Sequence, residues 1–102
     1  MMTEGMSKLI SSIKGAGLRV YGPEILTSHV YFTDGTRVGY AQYTPERVYY
    51  ASMTTGTGFD AHIIDAALSF AAEWTTKRDK ELVPEYRDFE TFRSVYQTLI
   101  EY

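Results

Sequence analysis

The run from Thr27 to Phe59 constrains the fold of this chain more than any other part of the sequence. It reads TSHVYFTDGTRVGYAQYTPERVYYASMTTGTGF, with alternating segments on either side of an Asp34-Gly35 turn and a third after Thr44-Pro45-Glu46. Alternation with a period of two predicts strands, and glycine supplies the positive φ that a tight hairpin turn requires. The run therefore predicts a small antiparallel sheet, and it holds five of the nine tyrosines of the chain.

A helix and a short strand are predicted before this sheet. Apolar residues recur at helical spacing after Thr3, which is a plausible N-cap. The Gly15-Ala16-Gly17 sequence is expected to end the helix, because glycine adopts the left-handed conformation without strain. A short strand is then predicted over 18–21.

Two further helices are predicted after the sheet. Asp60 is expected to cap the first, whose wide apolar face continues as far as Trp74. Asp88 is expected to cap the second, with an aromatic face that ends at Leu99. Between the two helices, the polar stretch 75–88 is interpreted as a loop or a short helical turn.

Together these patterns predict one α+β domain over residues 1–102. We expect a four-stranded antiparallel β-meander with an N-terminal helix and two C-terminal helices, all packed on one face of the sheet. The expected core contains Leu9, Ile13, Val30, Phe32, Val38, Tyr40, Val48, Tyr50, Ile64, Leu68, Phe92 and Leu99. The strand alternation places a second set on the opposite face: His29, Tyr31, Arg37, Tyr43 and Tyr49. The alternation alone does not decide which face is exposed.

Composition excludes several classes of protein. A chain of 102 residues, 44% hydrophobic and 23% charged, is ordinary for a globular domain. It contains no cysteine, so it has no disulfide, no thiolate nucleophile and no cysteine metal site. Its net charge of −3 makes nucleic-acid binding a weak hypothesis. No apolar run approaches the roughly 18 residues of a membrane span, so we expect no membrane association and a cytoplasmic location.

Motifs for catalysis and metal binding are missing. Serines and histidines occur without a nucleophile-elbow motif or a close Ser/His/Asp order, and no carboxylate pair can be selected from thirteen acids. His62 and Asp65 share a helical face, but a metal site needs three or four ligands. We therefore predict a protein that is not an enzyme and that uses no cofactor or metal.

The chain carries three motifs in order, DGTRVGYAQY, TTGTGF and YRDFETF, which cover about residues 27–96. In order and spacing they resemble the motifs of a group of small uncharacterised proteins from tailed bacteriophages. The stretch Ser52-Met53-Thr54 stands where a basic segment is often found in that group, so a function carried by that segment is in doubt here. The resemblance implies a phage origin and a cytoplasmic location in the bacterial host. It names no activity, although small phage proteins of this kind often bind and disable a host protein.

The tyrosine-rich sheet is the strongest indication of function. Tyrosine and arginine are enriched at protein interfaces, although tyrosine is also simply a good strand former. We therefore expect a host protein, of unknown identity, to be bound and inhibited through Tyr31, Arg37, Tyr43, Tyr49 and His29.

Two alternatives remain open at this stage. One is a module that sequesters a nucleotide or another anion at the loop leading into the second helix, at Thr55, Gly56, Thr57 and Gly58. The same glycines are equally explained by a tight turn from strand to helix. The other is a structural or assembly protein that forms a homodimer through an exposed edge or face of the sheet.

Overall fold

The computed structural model of the chain describes residues 3–56, 58–71, 73–76 and 83–102. Within these ranges the elements are, in order, α1 (Glu4–Gly15), β1 (Arg19–Gly22), β2 (His29–Thr33), β3 (Val38–Tyr43), β4 (Val48–Ser52), α2 (Ala61–Leu68), β5 (Trp74–Thr76), α3 (Phe89–Val95) and β6 (Ile100–Glu101). The strands form one sheet with the order β5-β4-β3-β2-β1-β6. The predicted α+β class is confirmed.

The sheet is larger and more varied than the sequence analysis predicted. Strands β1 to β4 form the expected antiparallel meander. The prediction of only four strands is wrong, because β6 pairs antiparallel with β1 and β5 pairs parallel with β4. Each added strand has three residues or fewer, which is too short for an alternating pattern to be recognised.

Trp74 belongs to β5 rather than to the second helix. That helix ends at Leu68, so the predicted continuation to Trp74 is wrong, as is the assignment of residues 75 and 76 to a loop. The Trp74 indole N–H donates a hydrogen bond to Asp65 Oδ1 at 3.0 Å, and the ring meets Tyr50 edge-on at 6.3 Å. The side chain therefore attaches β5 to both α2 and β4. Residues 77–82 of the predicted loop lie outside the described residues.

The helices cover both faces of the sheet, which corrects the expectation that they share one face. Helices α1 and α2 pack on the face that carries Val30, Phe32 and Tyr50, which we call the α1/α2 face. Helix α3 packs through Phe92 on the opposite face, which we call the α3 face. Burial of a large apolar side chain contributes roughly 1.5–3 kcal/mol, so the sheet has a stabilising core on each side.

The helix boundaries follow from local chemistry. The Thr3 hydroxyl accepts a hydrogen bond from the Met6 N–H at 3.2 Å, and Gly17, with a φ of 88°, follows the end of α1 as predicted. Asp88 caps α3 through a hydrogen bond from the Thr91 N–H at 2.9 Å. Asp60 stands at the N-cap of α2, but its side chain makes no capping hydrogen bond. Helix α3 ends at Val95, so Leu99 lies beyond it.

The pairing of Phe32 with Gly39 decides which side chains of β3 face each side of the sheet. The two residues are directly opposite in the β2–β3 ladder, and the Phe32 ring occupies the space that a Cβ at position 39 would need. Close approach by a neighbouring group is a common reason for glycine inside a strand. The contact places Gly39, Ala41 and Tyr43 on the α1/α2 face.

The predicted orientation of β3 is therefore wrong. Val38 and Tyr40 lie on the α3 face, not beside Val30 and Phe32, and Tyr43 lies on the α1/α2 face. The prediction assigned the more apolar set, Val38 and Tyr40, to the core beneath the helices. The molecule instead needs small residues where the bulky ring of Phe32 crosses the strand.

We expect Gly39→Ala to lower the free energy of unfolding by about 1–3 kcal/mol, because the new methyl group displaces the buried Phe32 ring. Gly15→Ala is the matched control, since nothing lies within 4 Å of a Cβ at that position. The control should be neutral or stabilising by up to about 1 kcal/mol. Urea unfolding of both variants measures the difference. Equal stability of the two would contradict the role assigned to Gly39.

Candidate interaction surface on the sheet

A row of half-exposed side chains crosses four strands on the α3 face. Strand registers place His29 opposite Gln42, Gln42 opposite Tyr49, and Tyr49 opposite Thr75. All four are partly exposed to solvent. Elsewhere on this face, Val38 is buried in a cluster that includes Phe92 of α3. Helix α3 therefore covers one part of the face and leaves this row, which we call the open row, accessible.

The aromatic rings in and beside the open row pack against one another. His29 stacks on Tyr40 with centroids 5.7 Å apart and 26° between the planes, and it meets Tyr31 edge-on at 5.6 Å. The Tyr40 hydroxyl donates to Gln42 Oε1 at 3.3 Å. Burial lowers the pKa of His29 from its ordinary value of 6.5, which favours the neutral imidazole. The result is a fixed, amphipathic surface without a formal charge at neutral pH.

Tyr31 supports this surface from beneath and contributes little to its exterior. Only 8% of the residue is exposed, and its ring packs on Phe92 at 5.2 Å and on Tyr96 at 5.5 Å. Burial raises its pKa to about 12, with smaller contributions from neighbouring tyrosines. Tyr31 was expected to contact a partner, and the structure assigns it to the core of the α3 face.

Tyr43 is separated from the open row by the thickness of the sheet. Its ring stacks on Phe70 at 6.3 Å and occupies the space next to Gly5 of α1, where a Cβ would overlap it. These residues line a groove of about 320 Å³ between α1, the β3–β4 turn and the end of α2. The expectation that Tyr43 shares a face with Tyr31 and Tyr49 is wrong, for the reason given by the Phe32–Gly39 pairing.

Arg37 lies just before β3 and connects two loops. Its Nε donates to Asp34 Oδ2 at 3.0 Å, its Nη1 donates to the Gly58 carbonyl at 2.9 Å, and its guanidinium lies 5.2 Å from the centroid of Phe59. The contact with Phe59 directs Arg37 toward the α1/α2 face. It is therefore not part of the open row, contrary to the expectation that it shares a face with His29 and Tyr31.

Hydrogen bonds attach the predicted ligand loop, residues 55–58, to neighbouring segments of the chain. The Thr55 N–H donates to the Tyr86 carbonyl at 2.9 Å, Gly56 has a φ of 85°, and the Gly58 carbonyl accepts from Arg37. Thr57 lies outside the described residues. The positive φ of Gly56 agrees with a tight turn, whereas Gly58 has no such requirement.

Of the residues in and beside the open row, His29 and Tyr49 were among the predicted contact residues, whereas Tyr40, Gln42 and Thr75 were not. The signal that could have found Gln42 is the Phe-to-Gly pairing, because placing Gly39 opposite Phe32 fixes the orientation of every other residue in β3. Thr75 could not be found, since it depends on the three-residue strand β5.

Comparison with known proteins adds nothing to the geometry: no family model, no curated protein and no solved structure matches the chain. The described ranges contain no group of three or more histidine, aspartate or glutamate side chains that could hold a metal ion. Among the described helices, none has the length and apolar character needed to cross a membrane.

One buried and one partly buried tyrosine predict a loss of stability in alkaline solution. The folded chain raises the pKa of Tyr31 and of Tyr86 from 10.0 to about 12, mainly through burial. Their stabilising contribution is complete below pH 10.0 and is lost as the pH rises toward about 12, because the unfolded chain releases these protons first.

We therefore expect the free energy of unfolding to fall across this interval, with a smaller fall in the Tyr31→Phe variant. Urea unfolding at several pH values, with a parallel absorbance titration of the phenolates, measures both quantities. An identical pH dependence in the native chain and in Tyr31→Phe would show that the Tyr31 hydroxyl is not responsible.

Proposed function

We propose that this chain is a phage-encoded accessory protein that binds a protein of the bacterial host and inhibits it without catalysis of its own. The phage origin rests on the sequence motifs described above. The contact surface rests on a structural observation, the open row formed by His29, Gln42, Tyr49 and Thr75 with Tyr40 beside it. A component of host defence or of transcription is the class of target we favour, in the host cytoplasm.

The chemistry of the open row supports a protein partner. The centres of protein interfaces are depleted of charged side chains and enriched in tyrosine, which presents a large rigid area with a polar end. The row contains no acid and no lysine or arginine, and its aromatic members are accessible. Binding to single-stranded nucleic acid would require basic residues beside the aromatic rings to track the phosphates.

The arrangement of the rings also reduces the cost of binding. Tyr40 is stacked against His29 and hydrogen-bonded to Gln42, so its orientation is set before a partner arrives. A side chain that is already fixed loses less conformational entropy on association than a mobile one. The sheet beneath the row is held on its other face by α1 and α2, which makes it a rigid platform.

A second copy of the chain is the alternative occupant of the open row. A two-fold interface uses the same patch on both subunits, and an uncharged row avoids repulsion between like charges in such a pairing. Sedimentation across a range of protein concentrations distinguishes the two occupants. A monomer that still retains a host protein supports the proposal, and a dimer that is lost on mutation of the row supports self-association.

We expect the triple substitution His29→Ala, Tyr40→Ala and Tyr49→Ala to abolish binding to the host target while the chain stays folded. The matched control is Tyr43→Ala with Phe70→Ala, which removes two stacked, half-buried rings from the opposite face. Tagged forms of each protein are used to retain partners from bacterial lysate, with mass spectrometry as the readout and circular dichroism as the check of folding.

The expected result is one host protein held by the native chain and by the control but not by the triple variant. The activity of that purified host protein should then fall on addition of the native chain alone. Retention by the triple variant would refute the open row as the contact surface. Loss of retention only in the control would move the interface to the groove beside Tyr43.

A further inference from the structure

A second groove lies at the end of the sheet away from the open row, and the proposed function does not use it. It has a volume of about 410 Å³, and its lining consists of Asp34, Thr36, Arg37, Thr54, Thr55 and Arg87. This volume is within the range of about 300–1,000 Å³ that is typical of small-ligand sites. The groove brings together the β2–β3 turn, the loop after β4 and the residue before the N-cap of α3.

The walls of the groove are fixed by hydrogen bonds in which backbone N–H groups donate. Thr54 and Tyr86 form an isolated parallel bridge, in which the Tyr86 N–H donates to the Met53 carbonyl at 2.7 Å and the Thr55 N–H donates to the Tyr86 carbonyl at 2.9 Å. Across the groove, Asp34 Oδ1 accepts from the Thr36 N–H at 2.9 Å. The two sides are thus held in place before any ligand binds.

Thr54 provides the observation that points to a ligand. It is 5% exposed and lines the groove, yet its hydroxyl oxygen has no hydrogen-bond partner among the described residues. A buried polar group without a partner is unfavourable and is uncommon in folded proteins. The hydroxyl oxygen is itself buried, so contact with a group in the groove requires rotation of χ1 to another staggered rotamer.

The charges around the groove select an anion. The Arg87 side chain is 83% exposed, and its Nε lies 3.5 Å from Asp88 Oδ2, while Oδ1 of the same carboxylate caps α3. Arg37 uses Nε and Nη1 in the contacts with Asp34 and Gly58, so its Nη2 has no hydrogen-bond partner among the described residues and can reach an incoming group. Among the described residues of the lining, Asp34 is the one carboxylate, and its charge is already compensated by Arg37. These residues therefore carry one positive charge in excess, which belongs to Arg87 and lies next to the Asp88 carboxylate outside the lining.

We infer that this groove binds the phosphate group of a small ligand, held by Arg87, Arg37 and the hydroxyl of Thr54. A guanidinium matches the geometry of phosphate oxygens, and a threonine hydroxyl donates one further hydrogen bond to the same group. The phosphate is either free inorganic phosphate or the terminal group of a small ester such as a nucleotide. This inference does not depend on the proposed host-protein function, since the two sites share no residue.

The test is a titration of the ¹⁵N-labelled full chain with inorganic phosphate, with adenosine 5′-monophosphate and with adenosine, at constant ionic strength maintained with chloride. We expect the amide resonances of residues 54–56 to shift with the monophosphate, either alone or together with inorganic phosphate. Adenosine should leave these resonances unchanged. Shifts with both phosphate compounds identify the phosphate group itself as the ligand, and shifts with the monophosphate alone identify an ester. No shift with either phosphate compound overturns the inference.

Two variants and a matched control assign the effect to the groove. Thr54→Val and Arg87→Gln should each weaken the affinity about tenfold or more, which is the usual effect of losing a hydrogen bond to a charged group. Arg47→Gln is the control, because Arg47 is paired with Glu73 beside the other groove. It should leave the affinity unchanged, and an equal loss in the control would show that only a diffuse charge effect is present.

The stability of Thr54→Val without ligand provides an independent check. Valine has nearly the same shape and removes the unpartnered hydroxyl, so the melting temperature should stay the same or rise. A marked fall would mean that the hydroxyl has a partner within the folded chain, and the inference would then be wrong.

Discussion

The contact between the Phe32 ring and Gly39 is the constraint on which the rest of the molecule depends. A side chain at position 39 would overlap the ring, so this pairing fixes both the register of β2 on β3 and the orientation of β3. From there the alternation propagates through the β3–β4 ladder to Tyr49 and Tyr50. A slip of one residue would exchange the two faces of the sheet, and both cores and the open row would be lost together.

The sequence indicates local structure well in this chain and long-range structure poorly. The hairpin at Asp34-Gly35, the capping of α1 by Thr3 and the capping of α3 by Asp88 were predictable, because each depends on neighbouring residues. The two outer strands were not, since β5 and β6 are defined by partners far away in the chain. The core was largely predictable on the α1/α2 face, where Val30 and Phe32 alternate with the residues of the other face.

The candidate surface was harder to predict because both faces of the sheet are partly buried. When only one face is covered, hydrophobic alternation identifies it. Here Val38 is buried beneath α3 and Ala41 beneath the other helices. The polarity of the β3 residues therefore does not show which of them belong to which face. Tyrosine adds to the ambiguity, because Tyr31 is a core residue and Tyr49 is a surface residue with the same side chain. The two faces are distinguished by steric space, because the residue opposite the Phe32 ring has to be small.

The parallel pairing of β5 with β4 has a consequence for how the molecule forms. Strands β1 to β4 pair with their immediate neighbours in the chain, so the loops that must close are short. Strand β5 can join only after the chain has passed through α2, and β6 must find β1 some eighty residues earlier; both carry a larger entropic cost of loop closure. We expect the central meander to assemble first and the sheet margins to close late. Because the open row extends from β2 to β5, it is complete only in the fully folded chain, and a partly folded intermediate would present only three of its four positions.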